Sequence, residues 1–293
     1  MTMQRRGFVM LKKVLSRLLS MLMAVMLMTP AACAQSESIN ILLIGLDSRT
    51  EELEGRSDTM LLVRVNPDGS VIRMVSFLRD LYVPIPGRGK ARLNAAYRYG
   101  GEELLKQTLK ENFGVEIDRT VTVQFSMLID LVDQLGGVAL DITEKERQQI
   151  NAFINDHNRS TGESIPRVQQ AGRQHLNGVQ ALCYSRIRKI DSDFQRTSRQ
   201  QAVLLAMLKQ ASTKGRLELI GMAVSNLPNL QTDLTLADVL TLLPLATRLD
   251  ELTFESAHVP FEGAYAGQSI DGASVLVPDL DECTERLQAF LTD

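Results

Sequence analysis

The chain has 293 residues, with 32 basic and 35 acidic side chains and a formal net charge of −3. Residues 1–36 contain five basic residues and no acidic one, so the rest of the chain carries −8. A net acidic body argues against a general nucleic-acid-binding protein, which needs a basic face. Three cysteines argue against a disulfide scaffold or a zinc ribbon.

Residues 1–34 are predicted to be a signal peptide or an N-terminal membrane anchor. A cationic flank, Arg5 to Arg17, precedes the largely apolar segment Leu18 to Met28, and Ala32-Cys33-Ala34 resembles a cleavage site. A membrane-spanning helix needs about 20 apolar residues, so cleavage and retention both stay open. The flank predicts a cytoplasmic N-terminus and an extracytoplasmic body, either anchored or secreted.

The rest of the chain, residues 35–293, is predicted to be one domain because no linker divides it. Apolar runs predict strands, and 3.6-residue periodicity with glycine stops predicts helices. In chain order these are strands 39–47, 59–65 and 71–77, helix 94–112, strand 121–125, helix 127–135, strand 138–142, helices 144–155, 177–185, 193–211, 216–225 and 235–247, strand 252–259 and helix 279–291. Residues 158–173 are predicted to be a loop. This alternation predicts an α/β fold, with a central mixed β-sheet flanked by helices on both faces.

Several common catalytic motifs are absent from the sequence. It contains no H-E-x-x-H, C-x-x-C, G-x-S-x-G or Walker loop, and its three histidines are scattered. A Ser-His-Asp hydrolase is therefore disfavoured. The polar residues that stand out are acidic and arginine residues, with one glutamine, at the ends of apolar segments, where ligands bind in open α/β sheets. They are Asp47, Arg56, Asp58, Arg79, Asp80, Arg186, Arg188, Asp193, Arg196 and Gln200.

This residue set suggests phosphate chemistry, since arginine matches phosphate oxygens bidentately. On an extended segment, Arg186 and Arg188 would point to one face about 7 Å apart. Arg196 and Gln200, four residues apart, would share one helix face. Two carboxylates without histidine suit Mg²⁺, with Asp47 and Asp58 as the natural pair. The alternative is a set of ordinary surface ion pairs and turn residues.

The ordered motifs together resemble the LytR–CpsA–Psr (LCP) family over about residues 38–210. They are ILLIGLD ending at Asp47, GRSDT with Asp58, SFLRD with Arg79 and Asp80, RLNAAY from Arg92, YSRIR with Arg186 and Arg188, and DFQRTSRQQ from Asp193. The resemblance implies an extracytoplasmic phosphotransferase that moves a glycopolymer from undecaprenyl pyrophosphate to the N-acetylmuramic acid 6-hydroxyl of peptidoglycan. It also implies a polyprenyl tunnel. The N-terminal segment predicts a membrane partner, and the sequence shows no DNA-binding element, so no nucleic-acid partner is expected.

Residue by residue, the resemblance implies that Asp47 and Asp58 bind Mg²⁺, with Mn²⁺ as the alternative cation. Arg79, Arg186, Arg188 and Gln200 would bind pyrophosphate, joined by Arg56 and Asp193. Asp58, Arg79, Asp80 and Arg196 would take part in the chemistry. Two departures are visible: Phe77-Leu78 replaces the family's usual Ile-Pro, and a short turn makes Asp191 and Asp193 compete for one role.

Several alternatives stay open at this stage. The apolar stripes of residues 127–135 and 203–208 could line a lipid channel or form ordinary core. The protein could instead be a polyprenyl-pyrophosphate hydrolase or a non-catalytic lipid-binding protein of wall assembly. A transporter's substrate-binding lipoprotein would need two lobes and a hinge, and the sequence predicts neither. Cys183 and Cys283 could form a disulfide outside the cell, and the sequence does not decide this.

Overall fold

A computed structural model describes residues 38–46, 57–66, 70–226, 230–246 and 248–292. The predicted leader, Asp47, Arg56 and the predicted turn at 67–69 therefore lie outside the described residues. Twelve strands are present in the described part: β1 (Ile39–Leu46), β2 (Ser57–Val65), β3 (Val71–Phe77), β4 (Tyr82–Ile85), β5 (Gly89–Arg92), β6 (Arg119–Gln124), β7 (Val138–Ile142), β8 (Gly172–Leu176), β9 (Gln231–Thr232), β10 (Thr253–Val259), β11 (Tyr265–Ile270) and β12 (Ala273–Pro278).

Eight α-helices accompany these strands in the described residues. They are α1 (Asn94–Phe113), α2 (Phe125–Gln134), α3 (Glu144–Thr161), α4 (Gly178–Ser185), α5 (Asp193–Ser212), α6 (Arg216–Asn226), α7 (Leu236–Ala246) and α8 (Leu280–Thr292). Local signals explain several helix ends. Thr143 and Asn177 form capping boxes at the starts of α3 and α4, and Ser192 caps α5. Gly114, with φ of 65°, closes α1 in the left-handed conformation.

Six strands form a central mixed sheet in the order β10-β3-β2-β1-β6-β9. β1 pairs with β2 and β2 with β3 in antiparallel fashion, whereas β1–β6 and β3–β10 are parallel. One face, with Leu42, Ile44 and Leu62, packs into a core that includes Leu105 of α1 and Leu287 of α8. The opposite face, with Leu61 and Val63, faces α5 and α7. The predicted α/β fold with helices on both faces is confirmed.

Three predictions about local structure were incomplete or wrong. The hairpins β4–β5 and β11–β12 were not predicted; β4 and β5 have four residues each, and β11 is polar and largely exposed. β7 was predicted correctly, but it pairs with β8 in a separate two-stranded sheet rather than joining the central one. Residues 158–173 are not a simple loop, because α3 continues to Thr161 and β8 begins at Gly172.

Candidate functional site

A cavity of about 420 Å³ lies on the sheet face that is turned toward α2 and α5. The strand register forms its floor. Leu61 of β2, Leu43 of β1 and Val121 of β6 are direct neighbours across the sheet. Two residues further along each strand, Thr59, Gly45 and Val123 form a second row on the same face. Three non-adjacent sequence segments therefore build one continuous surface.

The wall of the cavity is largely apolar. Leu128 and Leu131 of α2 and Val203, Leu204 and Met207 of α5 line it. These residues belong to the two helical stripes that the sequence assigned either to a channel or to the core. Members of both stripes line the cavity, while Val132 and Ala206 of the same helices are buried in a neighbouring core. Each helix thus contributes to both the cavity and the core.

The polar residues of the cavity gather at one end. There Asp58 at the start of β2, Arg186 and Arg188 after α4, and Arg196 and Gln200 of α5 line the cavity. Arg196 and Gln200 share a helix face, as their spacing predicts. Three guanidinium groups against one carboxylate give this end of the cavity a net positive charge.

A chain of ion pairs connects the polar end. Asp58 accepts hydrogen bonds from Nη1 of Arg79 at 2.8 Å and from Nη2 of Arg188 at 3.3 Å. Nε of Arg188 lies 3.9 Å from Oδ1 of Asp193, which lies 3.1 Å from Nη1 of Arg196. Asp193, rather than Asp191, therefore faces the site. Of the two candidates that the sequence left open for one role, Asp193 is therefore the residue beside the site arginines.

Arg79 and Asp80 support the site without lining the cavity. Nε of Arg79 lies 3.3 Å from Oδ2 of Asp80, whose Oδ1 accepts a hydrogen bond from Arg92 at 3.3 Å. Burial lowers the pKa of Arg79, but its hydrogen bond to Asp58 and the nearby carboxylates outweigh burial and raise the pKa above its ordinary value. The sequence did not predict Arg92 as a site residue, although Arg92 begins the RLNAAY motif.

Arg196 is the most unusual of these residues because its side chain is almost fully buried, at 2% exposure. Its Nε, Nη1 and Nη2 have no hydrogen-bond acceptor among the described residues, although Nη1 is close to Asp193. Oε1 of Gln200, which is an acceptor, likewise has no hydrogen-bond donor among the described residues. Burial lowers the pKa of Arg196 to about 10, so it remains charged at neutral pH. Buried donors without acceptors are costly, and an anion bound here would satisfy them.

The prediction that Arg186 and Arg188 lie on an extended segment is wrong. Arg186 ends α4 in a helical conformation (φ −96°, ψ −3°), and the chain then turns. Ile187 between them is completely buried and anchors the turn in the core. The guanidinium of Arg186 lies 4.7 Å from the ring centroid of Phe125, at the start of α2.

The position of this turn depends on how closely α4 approaches α2. A Cβ atom at Gly178, the first residue of α4, would overlap the backbone of Ile129 in α2. Glycine thus permits the contact between the helix that ends at Arg186 and a helix that lines the cavity.

Arg199 is a buried residue that the sequence analysis did not assign to the site. Its Nε donates to Glu146 at 2.7 Å, and Nη1 donates to the Ile187 carbonyl at 3.2 Å and to Asp191 at 3.1 Å. Burial lowers the pKa of Arg199, but Asp191 and Glu146 raise it above its ordinary value. Arg199 therefore holds α3, α5 and the Arg186–Arg188 turn together. The sequence offered one indication of this role, because Arg199 lies in the DFQRTSRQQ motif directly before Gln200.

Of the two carboxylates predicted to bind Mg²⁺, only Asp58 lies within the described residues, because Asp47 lies outside them. Asp58 lines the cavity, and both its oxygens accept hydrogen bonds from arginines. The described residues contain no group of three His, Cys, Asp or Glu side chains that could hold a metal. Mg²⁺ is often bound by one or two carboxylates together with phosphate oxygens, so Asp58 fits this donor class.

Cys183 and Cys283 are both buried and free, so they do not form the disulfide that the sequence left open. Burial raises the pKa of Cys183 to about 12, which keeps it a thiol at neutral pH.

Across the described ranges, no helix is both long and apolar enough to cross a membrane. The predicted leader lies outside those ranges.

Comparison with known proteins places this geometry in a family. The LytR_cpsA_psr family model matches residues 19–289. The chain is 33% identical over 219 residues to the Bacillus subtilis protein named polyisoprenyl-teichoic acid–peptidoglycan teichoic acid transferase TagT. The match covers 73% of this chain and 65% of that relative, so the chain matches less than two thirds of the relative's length.

Solved structures show the same relationship in three dimensions. A structure described as TagT bound to LIIa-WTA matches with a TM-score of 0.71 and 29% identity, covering 90% of this chain and 95% of that one. A second, described as YwtF (TagT) with bound octaprenyl pyrophosphate lipid, matches with a TM-score of 0.66, 27% identity and the same coverages. With the family model matched over most of its length, the chain belongs to the LytR–CpsA–Psr family.

Proposed function

We propose that this protein transfers a glycopolymer from a polyprenyl-pyrophosphate carrier, in its undecaprenyl form, to a hydroxyl of peptidoglycan. The observation that carries the proposal is an apolar cavity whose polar end collects three guanidinium groups. An isoprenoid tail suits the apolar wall, and a pyrophosphate suits the arginines. The names of the relative and of the lipid-bound structure support the same substrate class.

The arginines have different tasks in this proposal. Arg186 and Arg188 line the polar end and would contact phosphate oxygens directly. Arg196 would donate from the buried side, where Nε and Nη2 have no acceptor among the described residues and would gain most from an anion. Arg79 is set back from the cavity and would hold the Asp58 carboxylate in place.

The transfer step needs a nucleophile, a proton acceptor and a leaving group. The peptidoglycan hydroxyl oxygen, at the muramic acid 6-position, would attack the sugar-side phosphorus. The bond from that phosphorus to the bridging oxygen would break, and polyprenyl phosphate would leave with its electron pair. A carboxylate would accept the hydroxyl proton, and Asp58 is better placed than Asp80 because only Asp58 lines the cavity. The arginines would stabilise charge on the phosphate oxygens, the usual basis of such catalysis.

Mg²⁺, with Mn²⁺ as the alternative, is part of this proposal. Asp58 would hold the cation together with Asp47 and the substrate phosphates. When bound, the cation would offset phosphate charge alongside the arginines. The leader would place the body outside the cytoplasmic membrane, either anchored or released.

The test is reconstitution of the full chain in proteoliposomes with a lipid-linked glycopolymer, with and without peptidoglycan. We expect polymer covalently attached to peptidoglycan and release of polyprenyl phosphate only when the acceptor is present. Free polymer phosphate formed equally without peptidoglycan would instead identify a hydrolase. Retention of the lipid without any product would identify a binding protein. Adding a chelator and then Mg²⁺ tests the cation separately.

A further inference from the structure

Large hydrophobic side chains are exposed mainly in one region of the protein. Among the described residues, four such side chains are exposed, and three of them lie on α6 and α7. These are Leu217 at 85%, Val224 at 52% and Leu240 at 46% exposure. The two helices contact each other. Single exposed hydrophobic residues are ordinary, but a group on neighbouring helices indicates a binding surface.

This surface lies at the apolar end of the cavity. α5 runs from Arg196 at the polar end to Met207, about three turns further along the helix at about 3.6 residues per turn. Beyond Met207, the Gln210 side chain donates to the carbonyl of Leu135, just after α2. Gln134 of α2 and Asn226 of α6 exchange side-chain hydrogen bonds of 2.8 and 3.3 Å. α6 therefore sits where the two cavity-lining helices end.

α7 lies beside the same end of the cavity. Its Leu242 and Leu245 pack with Leu204 and Leu208 of α5 in one hydrophobic cluster. Leu204 also lines the cavity. The exposed helices and the apolar cavity wall are thus opposite sides of one continuous apolar region.

The start of the described body lies in the same region. Ile39, at the beginning of β1, packs against the cluster that contains Leu242 and Leu245. Residues 1–37, with their cationic flank and apolar segment, precede this point in the chain. The chain therefore enters the described body beside this cluster.

The charges around the surface suit an anionic lipid surface. Lys209 and Arg216 are exposed next to it, and Lys214 forms an ion pair with Glu218 at 2.9 Å. Asp238 of α7 accepts two hydrogen bonds from Arg119, and these two side chains form an ion pair that carries no net charge. Basic residues beside exposed leucine and valine are typical of helices that lie in a membrane interface.

We infer that α6 and α7 form a bilayer-docking surface, in which Leu217, Val224 and Leu240 enter the lipid interface and place the apolar end of the cavity at the membrane. The inference rests on the proposed function, since it explains how a lipid too long for a 420 Å³ cavity would be held. The part of the tail outside the cavity would remain in the bilayer, while the pyrophosphate reaches the arginines.

The absence of tryptophan from the chain allows a direct test. Leu217→Trp gives a single fluorescent reporter on α6, and Tyr99→Trp gives a matched control at the exposed tyrosine of α1. Both full-length variants are placed in proteoliposomes that contain anionic lipids with or without a doxyl quencher. We expect the Leu217→Trp emission to shift to the blue and to be quenched, and the Tyr99→Trp emission to do neither. Equal, water-like emission of the two variants would overturn the inference.

A second experiment separates docking from the proposed function. The double variant Leu217→Glu and Leu240→Glu should transfer polymer about tenfold more slowly from a long-chain donor in anionic vesicles, because added acids are repelled by the lipid surface. It should match the unaltered protein with a short-chain donor soluble in water. Equal rates with both donors would refute docking while leaving the transferase proposal intact. Lack of transfer by the unaltered protein with either donor would instead refute the transferase proposal, and the fluorescence result would still stand.

Discussion

The carboxylate of Asp58 lies 3.3 Å from Nη2 of Arg188, although the two residues are 130 positions apart in the chain. Asp58 begins a central strand, and Arg188 follows a short helix on the cavity side of the sheet. The same carboxylate accepts a hydrogen bond from Arg79. One acidic side chain thus orients an arginine at the cavity and another behind it.

Replacing Arg188 with alanine should reduce polymer transfer by about 10²–10³, the usual cost of removing one donor that stabilises phosphate charge. The side chain is 39% exposed, so the fold should survive, as circular dichroism would show. Arg173→Ala, at an exposed arginine of β8, is the matched control and should transfer polymer normally. Undiminished transfer by purified Arg188→Ala would refute a role for this residue. Arg186→Ala should behave in the same way as Arg188→Ala.

Replacing Leu128 with phenylalanine should narrow the cavity where α2 lines it. We expect weaker binding of a long-chain polyprenyl pyrophosphate and nearly unchanged binding of a short-chain analogue, because the arginines are not altered. Titration of both ligands by calorimetry measures the difference. Equal loss for the two ligands would mean that the substitution disturbs the polar end, and no loss for either would mean that the tail does not occupy this cavity.

Replacing Arg199 with lysine should move the turn that carries Arg186 and Arg188. Lysine keeps the charge but cannot donate to Glu146, Asp191 and the Ile187 carbonyl together. We expect the free energy of unfolding to fall by about 1–3 kcal/mol. We also expect the Kd for pyrophosphate lipid to rise about tenfold in protein that is still folded. Arg159→Lys, at the exposed Arg159–Asp156 pair, should change neither quantity. An unchanged Kd in Arg199→Lys would show that Arg199 is purely structural.

Glu146 should contribute to the loss of stability in acid. Burial raises its pKa, but the hydrogen bonds from Arg199 and Thr143 outweigh burial and lower the pKa below its ordinary value of 4.5. Its contribution is therefore complete above about pH 4.5 and is lost as the pH falls through the lower folded-state pKa. Urea unfolding between pH 3 and 7 should show a shallower acid decline for Glu146→Gln than for the unaltered protein. Glu103→Gln, at an 84% exposed side chain, should leave the decline unchanged; identical slopes in all three would contradict the prediction.

Much of the secondary structure was predictable because its signals are local. The apolar run of β1 and the periodicity of α1 and α5 each depend on neighbouring residues alone. The capping residues Thr143 and Asn177 mark helix starts within a few positions. The arginine and acidic residues could be chosen as candidates from their places beside these elements. The hairpins β4–β5 and β11–β12 were not predicted because their stability comes from packing on the rest of the fold.

The sequence by itself determined the α/β class, the apolar stripes, the leader's charge pattern and a set of ten candidate site residues. Only the tertiary structure decided that Arg196 is buried with unpaired donors, that Asp193 rather than Asp191 faces the site, and that Arg199 supports the Arg186–Arg188 turn. The physical reason is the range of the interactions. Helix and strand patterns follow from neighbouring side chains, whereas burial and ion pairing depend on which distant segments the packed sheet brings together.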